Sequence, residues 1–428
     1  MPAERPEQHV HATDEISDDG SAGFPVGTRA DRPKRRGRGR KRSKVFVVLL
    51  GSVTALALVV GLGSVWFWRH LDDNVDFQDY DDQLSDRPAK VEVDTGPKEP
   101  LNILVMGSDT RDGAGNNIDG LTGDGERSDT TIMFHLSADR TFAYGISIPR
   151  DSLVDRPDCT DDDGETIPGA DDAMWNEAFA VGGPACTMQQ FEQLTGIRLD
   201  HYVKVDFNGF RDMVDAIDGV EVCIPEDIDD PAHGITIPAG TREVRGNEAL
   251  SYVRARYTLG DGSDLGRIKR QQAFLAAMAG KVVSKGTLAR PDRLLGFLNA
   301  ATSSLQTDFD SIDQMRDVGT SFRSIGLENI KFVTVPWQYS PVDPNRVAWL
   351  PSADKLWKRV VKDKPLTKKV SSDGILSAGD SIDGTAVDGD STPSGDSGES
   401  TDPGSGESTE PKGGAVTSDT RASSGLCA

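Results

Sequence analysis

LNILVM (Leu101 to Met106), TTIMFHL (Thr130 to Leu136) and TFAYGISIP (Thr141 to Pro149) are the runs that decide the fold. The first reads as a buried strand and the others as a second and a third, because each is apolar over strand length and bounded by polar residues. Ser137-Ala138-Asp139-Arg140 joins the last two as a hairpin-length turn. Further along, Phe207 to Ile217 and Arg270 to Val283 space their apolar residues as amphipathic helices do, and Leu294 to Leu305 predicts another helix. Strand-like and helix-like patterns alternate from about Pro100 to Asp363, so one α/β or α+β domain is expected rather than a repeat array.

Outside that region the chain contributes little core. Val45 to Trp68 carries no charge and ends in Trp66-Phe67-Trp68, which predicts a membrane-spanning helix with interfacial aromatics. The apolar run exceeds a signal-peptide core and no clean small-x-small cleavage site follows, so an uncleaved signal-anchor is expected. Lys34 to Lys44 (KRRGRGRKRSK) precedes it and the acidic Asp72 to Asp82 follows it, which keeps the N-terminus cytoplasmic and everything after the helix outside. The expected organisation is a cytoplasmic arm (1–44), the span (45–68), an acidic stalk (69–99), the folded domain (100–365) and a mobile Gly/Ser/Asp-rich tail (366–428). Much of the net charge of -22 comes from the stalk and tail, and it argues against nucleic acid as a partner. The four cysteines all follow the span without metal-binding spacing, as in an exported protein. Three disulfide pairings are open, with Cys159 to Cys186 favoured because the two flank one polar loop.

The strand order turns scattered residues into a constellation. If the first two strands pair antiparallel and the third returns beside them, Asp109, Arg111, Arg127, Asp129 and Arg150 meet at one sheet edge. Two carboxylates among several arginines suit a hard divalent cation with a pyrophosphate; magnesium fits best, since it binds few carboxylates and takes further ligands from phosphate. Taken singly, an Asp after a strand is a turn residue. A second basic cluster holds Arg254 and Arg256, expected to point the same way on an extended segment, and Arg267 and Gln271, which share a face at a helix start suited to an anion. Surface ion pairing is the plain alternative for these. No Walker loop, Gly-x-Ser-x-Gly elbow or His-x-x-x-His pair occurs, and His135, inside a strand, reads as a packed or hydrogen-bonded residue.

NILVMGSDTR (Asn102 to Arg111), RSDTTIMFHL (Arg127 to Leu136), SIPRDSLV (Ser147 to Val154), VDFNGFRDMVDAIDGVEV (Val205 to Val222), GNEALSYVRAR and GRIKRQQAFL together resemble the LytR-CpsA-Psr family, in the family's order. The resemblance implies an α/β fold, a three-layer α/β/α-type catalytic domain whose central mixed sheet encloses an apolar tunnel for a polyprenyl chain. It further implies a phosphotransferase that moves a glycopolymer from a polyprenyl-pyrophosphate carrier to a peptidoglycan hydroxyl and releases polyprenyl phosphate. Asp109 and Asp129 would then hold Mg2+, or Mn2+ in its place. Arg127, Arg150, Arg254, Arg256, Arg267 and Gln271 would surround the pyrophosphate, with Arg111 and Arg270 behind them, and Arg150, Asp109 and Asp129 would be catalytic. Asp151 and Asp109 are the candidates for a base. The rivals are a polyprenyl-pyrophosphate hydrolase, an activity that could also accompany transfer, and a non-catalytic lipid-binding envelope regulator.

Overall fold

The computed structural model describes residues 44–90, 96, 98–109, 128–161, 164–230, 235–255, 264–367 and 376–377, and the chain divides into two units, 1–60 and 61–428. In the first, the described residues belong to helix α1 (Lys44–Asn74) and are exposed throughout. The expected span 45–68 therefore lies within a longer helix, one long and apolar enough to cross a membrane and fitting a single-pass anchor. No glycine or proline interrupts Arg69 to Asn74, so the helix continues beyond the aromatic residues.

The second unit is built on an eight-stranded mixed sheet. Its strands are β1 (Asp76–Phe77), β2 (Leu101–Ser108), β3 (Ser128–Leu136), β4 (Ala143–Ile148), β5 (His201–Asp206), β6 (Leu305–Thr307), β7 (Ile330–Thr334) and, further along the chain, Leu376–Ser377. They lie in the order β1-β6-β5-β2-β3-β4-β7, closed by Leu376–Ser377. β2 runs parallel to β5, and β4 to β7, while β3 is antiparallel to both β2 and β4. Four strands thus end at one edge of the sheet, and β3 begins there. The turn between β3 and β4 is held by Ser137, whose Oγ accepts from the N–H groups of Thr141 and Phe142, both at 3.1 Å.

Alternate residues on each strand feed two layers. Leu104, Met106, Met133, Ile146 and Tyr202 face α2 (Glu177–Thr195) and α8 (Ala353–Val361). Ile103, Val105, Phe134, Val203 and Phe332 face the other side, where α5 (Asp264–Val283), α6 (Pro291–Thr302) and α7 (Ile312–Ile325) lie. Between these, α3 (Phe207–Ala216) and α4 (Gly246–Arg254) share a second apolar cluster with Phe274 and Ala277 of α5. Asp206 caps α3 by accepting from the N–H of Gly209 at 2.7 Å. The expected α/β/α architecture with a mixed sheet is the one observed.

Several boundaries differ from expectation. The acidic stalk is in part a packed element: Leu71 and Tyr80 are buried, β1 joins the sheet beside β6, and Arg87 reaches α2. A few apolar residues and one arginine suffice for this, and the surrounding carboxylates obscure them in the composition. The tail expected from 366 contributes Leu376–Ser377, which pairs with β7; the arm and the remainder of the tail lie outside the described residues. The helix expected over Leu294 to Leu305 spans Pro291–Thr302, with proline at its first turn, and Leu305 already belongs to β6. The disulfide joins Cys159 to Cys186, and Cys223 is also disulfide-bonded.

Candidate active site

The site lies where β2, β4, β5 and β7 end, the edge of an open α/β sheet at which ligands characteristically bind. Ser108, the last residue of β2, pairs with Ser128, whereas Gly107 pairs with Thr130, so Asp129 is the extra residue of a β-bulge. A bulge re-aims a side chain and recurs beside active sites. Here Asp129 Oδ1 is in close contact with Nη1 of Arg150, just beyond β4, and both side chains keep about a fifth of their surface exposed. Asp109 directly follows β2, at the same edge.

From the facing layer, the first turn of α5 brings Arg267, whose Nη2 donates to the backbone oxygen of Asp129 at 3.3 Å. One turn on, Gln271 donates to the carbonyl of Val253 at 3.3 Å, so Arg267 and Gln271 do share a face. Arg254 corrects its expectation: it is the last residue of α4, not part of an extended segment, and its guanidinium lies 4.6 Å from the centre of the Phe207 ring. Arg270, expected behind these residues, has a wholly buried side chain that donates to the carbonyl of Ala255, next to the end of α4. Arg111, Arg127 and Arg256 lie outside the described residues.

Residues that the sequence reading passed over complete the surroundings. Arg346 Nη1 contacts Asp151 Oδ1 at 2.9 Å, and the same oxygen lies 3.7 Å from Nε of Arg150. Asp151 thereby lies between two guanidinium groups. Gln272, fully buried, donates to Ser147 at 2.9 Å and Thr334 at 3.3 Å, fastening α5 to the ends of β4 and β7. Lys204 lies two residues before the end of β5, with Nζ 5.9 Å from the Phe179 ring centre. The alternation in His201 to Asp206 is the signal that could have found it. His135 is packed as expected, with Nε2 3.1 Å from Asp363 and Nδ1 2.8 Å from Asn102.

Below this edge, on the α5 side of the sheet, lies an apolar cavity of about 590 Å3 lined by residues including Val105, Phe134, Val203, Leu275, Met278 and Met315. α5 therefore carries cationic and amide groups at its start and cavity-lining aliphatic side chains further along.

The model of the LytR_cpsA_psr family matches residues 72–362. The chain belongs to the LytR-CpsA-Psr family. The "Cell wall biosynthesis protein LcpA" of Corynebacterium glutamicum is 33% identical over 55% of this chain and 49% of its own. This chain thus spans about half the length of that relative. The "Polyisoprenyl-teichoic acid--peptidoglycan teichoic acid transferase TagU" of Enterococcus faecalis is 31% identical over 66% of this chain and 85% of its own. Among solved structures, protein gbs0355 from Streptococcus agalactiae has the same fold, with a TM-score of 0.50 and 24% identity over 63% of this chain and 90% of that one. The LytR-CpsA-Psr match begins at Asp72, which agrees with the packing of Tyr80 and Arg87 into the domain.

Proposed function

We propose that the protein is a phosphotransferase that moves a glycopolymer from a polyprenyl-pyrophosphate carrier to a hydroxyl of peptidoglycan. The observation that carries this is the construction of α5, which joins a guanidinium-rich sheet edge to an apolar cavity, so that one ligand with an anionic head and a long apolar chain satisfies both. The naming of TagU and its relatives as transferases of teichoic acid to peptidoglycan supports the same reading.

Arg150, Arg254 and Arg267 bind and orient the head, with Gln271 alongside. The acceptor oxygen forms a bond to the sugar-side phosphorus as the bridging P–O bond breaks; the bridging oxygen departs on polyprenyl phosphate, and the acceptor proton passes to that phosphate or to solvent water. Fixed guanidinium groups stabilise the charge that grows on the phosphoryl oxygens. Asp109 and Asp129 fit a divalent cation, being oxygen donors at the ends of neighbouring strands, and two carboxylates are what magnesium requires when phosphate supplies other ligands. Bound there, Mg2+ or Mn2+ would neutralise charge on the pyrophosphate. With water in place of the acceptor the same residues would hydrolyse the carrier.

In this reading the N-terminus is cytoplasmic and the folded domain lies outside. The basic Lys34 to Lys44 supports that orientation, and so does the disulfide, which belongs in an oxidising compartment.

The test is transfer by the full chain in detergent, from a short synthetic polyprenyl-pyrophosphate sugar to peptidoglycan fragments, with products read by mass spectrometry. Arg150→Ala is expected to lower transfer by about 100-fold or more without loss of the folded state. Asp129→Asn and chelation of divalent cations are expected to act likewise, with activity restored by magnesium in the chelated wild type. Undiminished transfer by both variants would remove this sheet edge from the chemistry.

A further inference from the structure

β7 leads directly into a hairpin of β8 (Trp337–Tyr339) and β9 (Val347–Trp349), at the same sheet edge as the site. Its inner strand is fastened to the turn that carries Arg150. Val347 bridges Ser152 and donates its N–H to Asp151 at 3.3 Å, the Trp349 indole donates to Ser152 Oγ at 3.2 Å, and Arg346 holds Asp151. Trp349 also packs against Trp175 and Trp357, which anchors the hairpin in the α2–α8 layer. Its outer strand and turn are built differently. Tyr339 is 60% exposed and Val342 77%, more than any other large apolar residue described beyond α1. The Trp337 and Tyr339 rings meet edge to face, with centroids 5.4 Å apart.

Position and charge say what this edge suits. Tyr339 pairs with Val347, which pairs with Ser152, so Tyr339 stands two strand spacings, about 10 Å, from the turn holding Arg150. The last turns of α1 pack through Leu71 against Leu298 and Met315, and Met315 lines the apolar cavity. The C-terminal end of α1 and the cavity therefore share one face of the sheet, and the hairpin packs on the other. WQYSPVDPNRVAW, residues 337–349, holds one arginine and one aspartate, so it lacks the basic cluster that recruits anionic lipid. An exposed tyrosine beside Gln338 offers an apolar ring face with polar groups around it, a combination that matches the C–H face and the hydroxyl and acetamido groups of an N-acetylated sugar.

We propose that the Trp337–Tyr339 edge is the subsite for the acceptor glycan strand, with Tyr339 stacking on a sugar ring while the neighbouring hydroxyl reaches the site. This rests on the transferase reading above, and it adds where the acceptor lies.

The full chain in detergent is titrated with peptide-free oligomers of alternating N-acetylglucosamine and N-acetylmuramic acid, by calorimetry, and acceptor and donor KM are measured in the transfer assay. Tyr339→Ala is expected to weaken oligomer binding and raise the acceptor KM by about fivefold to tenfold, with the donor KM unmoved, and Tyr339→Trp to restore both. Equal oligomer affinity in wild type and Tyr339→Ala, no binding by the wild type, or a loss of binding to phosphatidylglycerol vesicles instead would overturn the subsite. The two readings fail separately. Oligomer binding that depends on Tyr339 without any transfer would keep the subsite and remove the transferase, whereas transfer with an unchanged acceptor KM in Tyr339→Ala would do the reverse.

Discussion

Arg87 belongs to a stretch whose composition reads as a spacer, yet its guanidinium forks onto Glu192, with Nε to Oε2 at 2.9 Å and Nη2 to Oε1 at 2.7 Å. The two side chains are only 9% and 1% exposed. Burial works against the charge on Arg87, but the hydrogen bonds and fields of Glu192 and Asp81 prevail and raise it above the ordinary guanidinium range. Removing one member of such a pair strands the other in the interior, at a cost of roughly 3–5 kcal/mol. Arg87→Met is therefore expected to lower unfolding stability by about 3 kcal/mol in a urea titration. Adding Glu192→Gln should recover part of the loss, because a neutral amide can still accept from the N–H of Leu199, which now lies 2.8 Å from Glu192 Oε1. Losses that simply add in the double variant would show that the two side chains are not coupled.

At the scale of elements, β4 gives way to two rings at a single residue. A Cβ on Gly145 would come within 2.7 Å of the Phe332 ring and 3.1 Å of Phe134, and both rings line the apolar cavity. Gly145→Ala is expected to push them into that space, lowering stability by about 1–3 kcal/mol and weakening binding of a long-chain polyprenyl phosphate more than that of a short one. Equal weakening for both chain lengths would place the chain elsewhere. The strands around Gly145 are legible in the sequence because their apolar runs are long, and α3 and α5 because their periodicity is regular. α2 is not, since Gly182-Gly183-Pro184 reads as a breaker; the structure accommodates it as a kink, with Gly183 at φ 58°, and helix continues on both sides. Asp129 and Arg150 follow from strand order alone. Arg346, nearly 200 positions from Asp151, reaches it through a hairpin that no local pattern announces. That Arg270 turns inward is likewise a matter of packing. A run of Arg-Gln-Gln on a helix shows which residues share a face, but not how deeply that face is buried.

For the molecule as a whole, the cavity beneath the site has a consequence in time. In the proposed reaction the polyprenyl chain occupies it both as donor and as departing phosphate, so the apolar contacts are the same before and after the bond is made. Contacts of that kind do nothing for the chemical step, and they hold back the product. Rapid-quench measurements with a long-chain donor are expected to show a first turnover faster than the steady rate, with an amplitude that matches the enzyme concentration. The burst should vanish with a short-chain donor as kcat rises. A linear time course with long chains would put the slow step at or before transfer. If the burst is seen, the pace of wall attachment is governed by how quickly spent carrier drains back into the bilayer, and the supply of sugar chains ceases to set it.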